Sequence, residues 1–240
     1  MPQLTFAASD FDSDGLNDDD ETNIYYTDPN LADTDGDGFN DGEEIKKGYS
    51  PVHKDKKNSE VDSDSDGLND EIELALGTNI AKGDTDGDGI NDSKEVFAGD
   101  NPRNGDTDRS LPKHVEVDLT TQQLTYYFDG VKLGSMPVST GLIKWATPTG
   151  EFEILRKVPV MRYKGDDYDY PNTKWNLEFK KTYYIHTAYW HNQFGKRPMS
   201  HGCVNMAKAD AEKMYIFLDV GDKVKITGKT PYRVVAPKKT

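Results

Sequence analysis

The sequence predicts a mainly β domain with one main helix, preceded by a loop-rich domain with short helices. An acidic twelve-residue string occurs four times within the first 109 residues, and short alternating segments follow from residue 114. The charge also changes sign, because residues 1–109 hold 30 acidic and 9 basic side chains whereas residues 110–240 hold 13 and 20. We therefore expect domains at residues 1–110 and 111–230, with a tail at 231–240.

The repeated string has the spacing of a calcium loop of EF-hand type. Each copy places Asp at positions 1, 3, 5 and 9, Gly at position 6 and Glu at position 12. Calcium prefers six to eight oxygen ligands, the glycine allows a sharp turn, and the position-7 carbonyl adds a ligand. The predicted carboxylate ligands are Asp10, Asp12, Asp14, Asp18, Glu21, Asp33, Asp35, Asp37, Asp41, Glu44, Asp62, Asp64, Asp66, Asp70, Glu73, Asp84, Asp86, Asp88, Asp92 and Glu95.

We expect about four structural calcium ions, one for each loop. The alternative is a solvated and disordered acidic tract, but four loops in one register argue against it. This half of the chain contains few hydrophobic residues, so we expect it to fold only with metal, because the binding free energy is then folding free energy.

The spacing of the loops indicates a duplicated two-loop unit, since the loop starts are 23, 29 and 22 residues apart. Short exit helices ending at glycine are expected over 41–48, 70–77 and 92–99. No long incoming helix precedes the loops, and the arrangement resembles the bacterial thrombospondin type 3 repeat. A fifth start at 106–108 lacks Asp and Gly at positions 5 and 6.

The second half alternates between apolar and polar residues as strands do. Residues 161–180 are long, polar and aromatic, and we interpret them either as a lid over a substrate or as a simple surface loop. Short strands with turn signals and a single amphipathic helix, over 207–218, are typical of a β-sandwich. The strands are expected over 114–119, 123–128, 131–133, 151–155, 182–186 and 222–227.

The only cysteine lies in a sequence context that predicts a nucleophile. Cys203 follows glycine within the segment 200–205, and His186 lies upstream. A thiolate is the reactive form of cysteine, and a nearby imidazole can take the thiol proton. Glycine before the nucleophile lets the backbone approach a substrate carbonyl closely. We therefore favour a catalytic cysteine over a buried structural one.

The segment from His186 to Asn205 resembles the active-site signature of the L,D-transpeptidases of the YkuD type. That signature is a histidine, a gap, then Ser/Thr-His-Gly-Cys, a hydrophobic residue and Asn or Arg. Two further segments match the family: Ser139-Thr140-Gly141, and Thr147-Pro148-Thr149-Gly150-Glu151-Phe152. The resemblance covers about residues 112–228 and implies the family's β-sandwich fold.

The resemblance implies a role for each matched residue. Cys203 is the expected nucleophile, and His186 is the expected general base, which forms the thiolate pair and later protonates the leaving amine. The carbonyl of Thr187 is expected to orient this histidine. His201 and Gly202 are expected to line the site, with backbone N–H groups near Gly202 and Cys203 holding the oxyanion.

Substrate contacts are expected from five further residues. Ser200 and Asn205 are expected to shape the loop or contact substrate. Tyr189, Trp190 and Arg197 lie between the two catalytic residues in sequence and are expected to rim the cleft.

Three other histidines need an assignment. His191 is the main rival to His186 as general base, but its spacing does not match the family signature. His114 and His53 are interpreted as surface or core histidines.

The leading functional hypothesis is a cysteine acyltransferase that acts on peptidoglycan stem peptides. Cys203 would attack the carbonyl of the third stem residue, and the acyl group would pass to the amine of a second stem. No cofactor is expected for catalysis. One alternative is an L,D-carboxypeptidase that uses the same site, and another is a non-catalytic, calcium-dependent module for cell-wall binding or adhesion.

Other features exclude some classes of protein. No hydrophobic run approaches the roughly 18 to 20 residues needed to span a bilayer, and the first residues do not form a signal peptide. A single cysteine excludes an internal disulfide. The acidic half and the lack of a concentrated basic patch argue against nucleic-acid binding. The substrate and the calcium loops predict periplasmic or extracellular action, with association to the cell wall or surface.

Overall fold

The structure, a computed structural model, describes residues 9–105, 111–166 and 168–231. The chain divides into two compact units, Met1–Ser110 and Leu111–Thr240. The expected fifth loop start at 106–108 lies outside the described residues, as does the tail beyond residue 231. None of the helices in the described part of the chain has the length and apolar character needed to cross a membrane.

Short helices follow the acidic loops of the first unit. The predicted exit helices of the second, third and fourth loops are confirmed, and each is followed by a glycine with positive φ. The side chains of Asn69 and Asn91 cap two of them by accepting backbone N–H groups. A π-helical turn at Glu21–Tyr25 extends the first helix. The helices are α1 (Asp18–Asp20), α2 (Asp41–Lys47), α3 (Asp70–Leu76) and α4 (Asp92–Ala98).

The loops associate in pairs. The Gly42 N–H donates to Asp14 Oδ2 at 3.0 Å, which joins the second loop to the first. The Ser93 N–H donates to Asp66 Oδ2 at 3.0 Å, which joins the fourth loop to the third. A Cβ at Gly42 would lie 2.5 Å from the Asp14 carbonyl oxygen, so this approach requires glycine. This pairing agrees with the duplicated two-loop unit that the spacing predicts.

The second unit is mainly β with one main helix, as predicted. Within the described residues its helix is α5 (Lys208–Phe217), which buries Ala211, Met214 and Phe217. Three strands, β5, β6 and β8, fall where the sequence predicts none. The strands are β1 (Lys113–Asp118), β2 (Gln123–Phe128), β3 (Val131–Ser139), β4 (Gly150–Glu153), β5 (Arg156–Lys164), β6 (Asp169–Lys180), β7 (Tyr183–Thr187), β8 (Val204–Met206) and β9 (Lys223–Thr227).

The strands form one continuous curled sheet in the order β4-β9-β1-β2-β3-β8-β7-β6-β5. Neighbours are antiparallel except for β1 with β9 and β7 with β8. The curl brings strands from opposite ends of this order together: Phe152 of β4 packs edge-on against Phe179 of β6, with ring centroids 5.5 Å apart. The curl encloses a core that includes Val115, Leu124 and Ile185.

The structure shows that residues 161–180 are not a simple surface loop. Most of them belong to the antiparallel hairpin of β5 and β6. The Asp, Gly, Pro and Asn residues of the segment indicate turns locally, but cross-strand pairing overrides that preference. Asn172 takes a positive φ of 59° within β6, which accommodates the Pro171-Asn172 pair without ending the strand.

Candidate active site

Two parallel neighbouring strands bring His186 and Cys203 together. In β7 and β8, His186 pairs with Asn205 and Ile185 pairs with Val204, and Cys203 directly precedes β8. Alternate residues of a strand share a face, so Cys203, Asn205 and His186 point to the same side. The cavity on that side opens to solvent, has a volume of about 70 Å³ and is lined by Tyr163, Tyr168, Tyr170, His186, Trp190, Met199, Ser200, His201, Cys203 and Asn205.

The imidazole of His186 is held in one tautomer. Its Nδ1 lies 2.8 Å from the carbonyl oxygen of Thr187. A carbonyl only accepts hydrogen bonds, so Nδ1 carries the proton and the lone pair is on Nε2. Burial lowers the pKa of His186 to about 4, although the Thr187 contact opposes this shift. His186 is therefore neutral at pH 7, with the Nε2 lone pair available to accept a proton.

The thiol of Cys203 is also neutral in the resting site. Burial raises its pKa to about 11, and a hydrogen bond from the Tyr184 backbone partly offsets this increase. Together with the low pKa of His186, this shift favours a thiol and a neutral imidazole over a preformed ion pair.

The loop before Cys203 is closed by the Ser200 side chain. Ser200 Oγ donates to the Cys203 carbonyl oxygen at 2.6 Å and accepts the Gly202 N–H at 3.0 Å. Gly202 has φ = +115°, and a Cβ there would lie 2.6 Å from a ring carbon of Tyr183. Ser200 thus shapes the loop. The Gly202 N–H therefore already has a hydrogen-bond partner, whereas N–H groups near Gly202 and Cys203 are expected from the sequence to bind the oxyanion.

Aromatic rings from the β5–β6 hairpin form one wall of the cavity. The His201 ring lies between Trp145 and Tyr168, with centroid distances of 4.2 and 4.9 Å. Tyr170 stacks on Trp190 at 3.7 Å. The segment 161–180 thus contributes Tyr163, Tyr168 and Tyr170 to the cavity lining.

Tyr163 is a site residue that the sequence reasoning did not single out. Its ring stacks on His186 with centroids 4.6 Å apart and planes 23° apart. Its hydroxyl donates to Asn176 Oδ1 at 2.9 Å, and burial raises its pKa. The contact depends on the register of β5 against β6, which a pattern of residue types does not specify.

Two residues expected at the rim do not line the cavity. Tyr189 is 55% exposed, and its hydroxyl donates to the Pro171 carbonyl oxygen at 2.7 Å. The carbonyl of Arg197 accepts the Ser139 hydroxyl at 2.7 Å, and Arg197 lines a neighbouring groove. Trp190 does line the cavity, together with Ser200 and Asn205.

The remaining histidines also lie outside the cavity lining. His191 Nε2 lies 3.1 Å from the carboxamide of Asn205. The His114 ring stacks on Tyr127 at 4.5 Å, and His53 Nδ1 lies 3.3 Å from the hydroxyl of Ser50. Of His186 and His191, it is therefore His186 that lines the cavity with Cys203.

Each acidic loop of the first unit contains buried carboxylate oxygens that have no hydrogen-bond partner among the described residues. The position-1, 3 and 5 aspartates also lie together, with one oxygen from each within 4.8 Å of the others. Buried charged oxygens without partners are costly, and a cation among them removes that cost. The unpartnered oxygens occur at position 3 in Asp12, Asp35, Asp64 and Asp86, and at position 12 in Glu21, Glu44, Glu73 and Glu95.

The position-12 glutamates lie in surroundings that disfavour their negative charge. Burial, reinforced by neighbouring aspartates, raises the pKa of Glu21 to about 7 and that of Glu73 to about 9. The same causes raise the pKa of Glu44 and Glu95 to about 8. An all-oxygen set of this kind fits calcium.

The position-9 aspartates differ from the expected ligand set. In three loops both carboxylate oxygens accept hydrogen bonds of 2.6–2.9 Å from the N–H and hydroxyl of the position-2 residue. In the first loop Asp18 Oδ1 accepts the Phe11 N–H at 2.9 Å. These carboxylates hold their own loop closed. The three pairs are Asp41 with Thr34, Asp70 with Ser63, and Asp92 with Thr85.

Comparison with known protein families gives a match that includes both His186 and Cys203. Residues 112–226 match the L,D-transpeptidase catalytic domain of the YkuD family. The bacterial TSP3 repeat matches residues 10–32, 33–48, 62–79 and 84–104. Both resemblances predicted from the sequence are confirmed, with the repeats preceding the catalytic domain.

Proteins similar to the second unit include ones named as L,D-transpeptidases. Probable L,D-transpeptidase 3 of Mycobacterium tuberculosis is 31% identical over 107 residues, which are 38% of this chain and 38% of the relative. The chain thus matches well under two thirds of that relative's length. Among solved structures, an L,D-transpeptidase from Mycobacterium smegmatis is 27% identical, with coverage of 49% of this chain and 59% of that chain and a TM-score of 0.47. One from Stackebrandtia nassauensis is 31% identical, with coverages of 50% and 57% and a TM-score of 0.42.

Proposed function

We propose that this chain is a peptidoglycan L,D-transpeptidase that forms an acyl-enzyme on Cys203. The observation that carries the proposal is the cavity that Cys203 shares with His186, whose Nδ1 is tied to the Thr187 carbonyl at 2.8 Å. This arrangement leaves Nε2 as the base. The match of residues 112–226 to the transpeptidase catalytic domain supports the same activity.

In the first half-reaction, His186 Nε2 takes the proton of the Cys203 thiol as sulfur attacks the carbonyl of the third stem residue. The tetrahedral intermediate collapses when its C–N bond breaks. The imidazolium gives its proton to the departing amine of D-alanine, and a thioester remains on Cys203. The backbone N–H of Cys203 is the proposed oxyanion donor, since Ser200 engages that of Gly202.

In the second half-reaction, an amine of another stem peptide attacks the thioester. His186 takes a proton from that amine, the C–S bond breaks, and the sulfur recovers a proton as the new amide forms. The aromatic wall of Tyr168, Tyr170 and Trp190 is proposed to hold the stem peptide and exclude water. Exclusion of water favours transfer over hydrolysis.

The acidic loops are proposed to hold structural calcium. The aspartates at positions 1, 3 and 5, the position-7 carbonyl and the glutamate at position 12 would supply the ligands, and the ion would neutralise their mutual repulsion. The proposed place of action is the periplasm or the cell wall, where peptidoglycan stem peptides and calcium meet.

Intact mass after incubation with a carbapenem tests the acyl-enzyme directly. Wild type, Cys203→Ala and His186→Ala are compared, each with calcium and with a chelator. We expect a covalent adduct on wild type, none on Cys203→Ala, and much slower formation on His186→Ala. A folded wild-type protein without an adduct would instead favour a non-catalytic wall-binding module.

A donor tetrapeptide stem offered with and without an acceptor stem separates transfer from hydrolysis. We expect a cross-linked dimer together with released D-alanine. Tripeptide as the main product, even with excess acceptor, would identify an L,D-carboxypeptidase that uses the same cysteine.

A further inference from the structure

The neighbourhood of Asn205 contains a hydrogen-bonding conflict beside the catalytic cavity. The side chain of Asn205 is 1% exposed and lines the cavity with Cys203 and His186. Its Nδ2 is placed 3.1 Å from His191 Nε2, while its Oδ1 is buried with no hydrogen-bond partner among the described residues. A carboxamide is nearly symmetric in shape, so the surrounding donors and acceptors decide its orientation.

The tautomer of His191 resolves this conflict. The backbone N–H of Gln193 donates to His191 Nδ1 at 3.2 Å. Nδ1 is therefore an acceptor, and in a neutral ring the proton is on Nε2. His191 is neutral at pH 7, because burial first, and then the nearby charge of Arg197, lowers its pKa. Nε2 is thus a donor, and it requires an oxygen as its partner.

We infer that His191 is a positioning residue that turns the Asn205 carboxamide so that its NH₂ group faces the catalytic cavity. His191 Nε2–H then donates to Asn205 Oδ1, and both ends of the contact are satisfied. The NH₂ group then takes the buried position of Oδ1, which has no hydrogen-bond partner among the described residues, and would donate from there to a carbonyl or carboxylate oxygen of the substrate. This inference rests on the proposed transpeptidase function and adds a specificity element to it.

The ring of His191 also makes packing contacts, so a test must separate packing from hydrogen bonding. His191 lies against Phe194, with ring centroids 4.8 Å apart, and against Trp190 at 6.2 Å. His191→Phe keeps an aromatic ring but loses the N–H donor. His191→Gln keeps an N–H donor but loses the ring. If His191 acts only by packing, His191→Phe should retain more apparent affinity for the carbapenem than His191→Gln. If His191 positions Asn205 by its hydrogen bond, His191→Gln should retain more than His191→Phe.

Carbapenem acylation of the full calcium-loaded chain measures this ranking. The rate is followed by intact mass as a function of carbapenem concentration, which separates apparent affinity from the maximal rate. We expect about a tenfold loss of apparent affinity in His191→Phe and a smaller loss in His191→Gln, as for a lost buried hydrogen bond. Asn192→Ala, a change at an exposed neighbour, is the control. Equal or reversed ranking of the two His191 variants overturns the inference.

Long-range ¹H–¹⁵N correlation spectra of the histidine-labelled wild-type protein report the tautomer without any substrate. His191→Gln assigns the signal. We expect a neutral ring protonated at Nε2, and a ring protonated at Nδ1 or on both nitrogens overturns the inference. Absence of acylation in wild type would contradict the proposed function alone, because the tautomer is measured independently of activity.

Discussion

The pH dependence of acylation tests the burial of the proposed general base, His186. His186 must be neutral to take the thiol proton, and burial lowers its pKa to about 4. At pH 5.5 a histidine with this pKa is about 97% neutral, whereas one with the ordinary pKa of about 6.5 is about 9% neutral. The rate of carbapenem acylation is therefore expected to be nearly the same at pH 5.5 and pH 7.5, rather than to fall about tenfold.

Substitution of Tyr163 perturbs that burial. Its ring stacks on His186 at 4.6 Å, so Tyr163→Ala admits water and lets the pKa of His186 rise. Acylation at pH 5.5 should then fall by up to about tenfold relative to pH 7.5. Tyr163→Phe keeps the ring and deletes only the hydroxyl that donates to Asn176, so its pH profile should match that of wild type.

A second tyrosine supplies the control. Tyr127→Ala removes a ring stacked on His114 at 4.5 Å, outside the cavity lining. Acylation rates are measured by intact mass from about pH 4.5 to about pH 8, with circular dichroism at each pH to confirm folding. A wild-type rate that falls with a midpoint near pH 6.5, or an unchanged profile in Tyr163→Ala, would refute the reasoning.

Three further predictions concern the nucleophile loop and the calcium loops. Gly202→Ala should slow acylation at least tenfold, because the new Cβ would lie 2.6 Å from a ring carbon of Tyr183. Gly221→Ala controls for backbone strain alone, because Gly221 also has a positive φ but a Cβ there would have nothing within 4 Å. Ser200→Ala should lower the free energy of unfolding, measured by chemical denaturation, by about 1–3 kcal/mol, because it removes the hydrogen bonds to Cys203 and Gly202. Ser135→Ala, which removes an exposed hydrogen bond, should have little effect. Glu73→Gln should weaken calcium binding, measured by calorimetry, about tenfold or more, because both carboxylate oxygens of Glu73 are buried without a hydrogen-bond partner among the described residues. An equal loss of calcium affinity in Glu71→Gln, at an exposed neighbouring position, would contradict this prediction.

The acidic loops were predictable because their chemistry is local. Spacing within twelve residues determines which carboxylates converge, and glycine at position 6 takes the required positive φ of 96–107° in all four loops. The exit helices follow from the same short range of sequence. The use of the position-9 carboxylates was not predictable, because the sequence does not show that their oxygens bind the position-2 residue, as Asp70 binds Ser63.

The cysteine and histidine of the candidate site were predictable from a short signature, and the carbonyl contact of Thr187 follows from its adjacency to His186. The β5–β6 hairpin was not, because its turn-forming residues look like a loop until the cross-strand partners are known. Strand β8 has three residues, too few for a periodic pattern. It forms because β3 and β7 hydrogen-bond to it on either side.

The sequence by itself determined the positions of the proposed nucleophile and base, the acidic loops and the division of charge between two halves, since each of these depends on residue identity at short spacing. Only the tertiary structure decided what surrounds them. The stacking of Tyr163 on His186, the burial that shifts the pKa values of His186 and Cys203, and the contact of His191 with Asn205 arise from sheet register and side-chain packing. Those contacts join segments distant in sequence, and their strength depends on the exclusion of water, which no local pattern encodes.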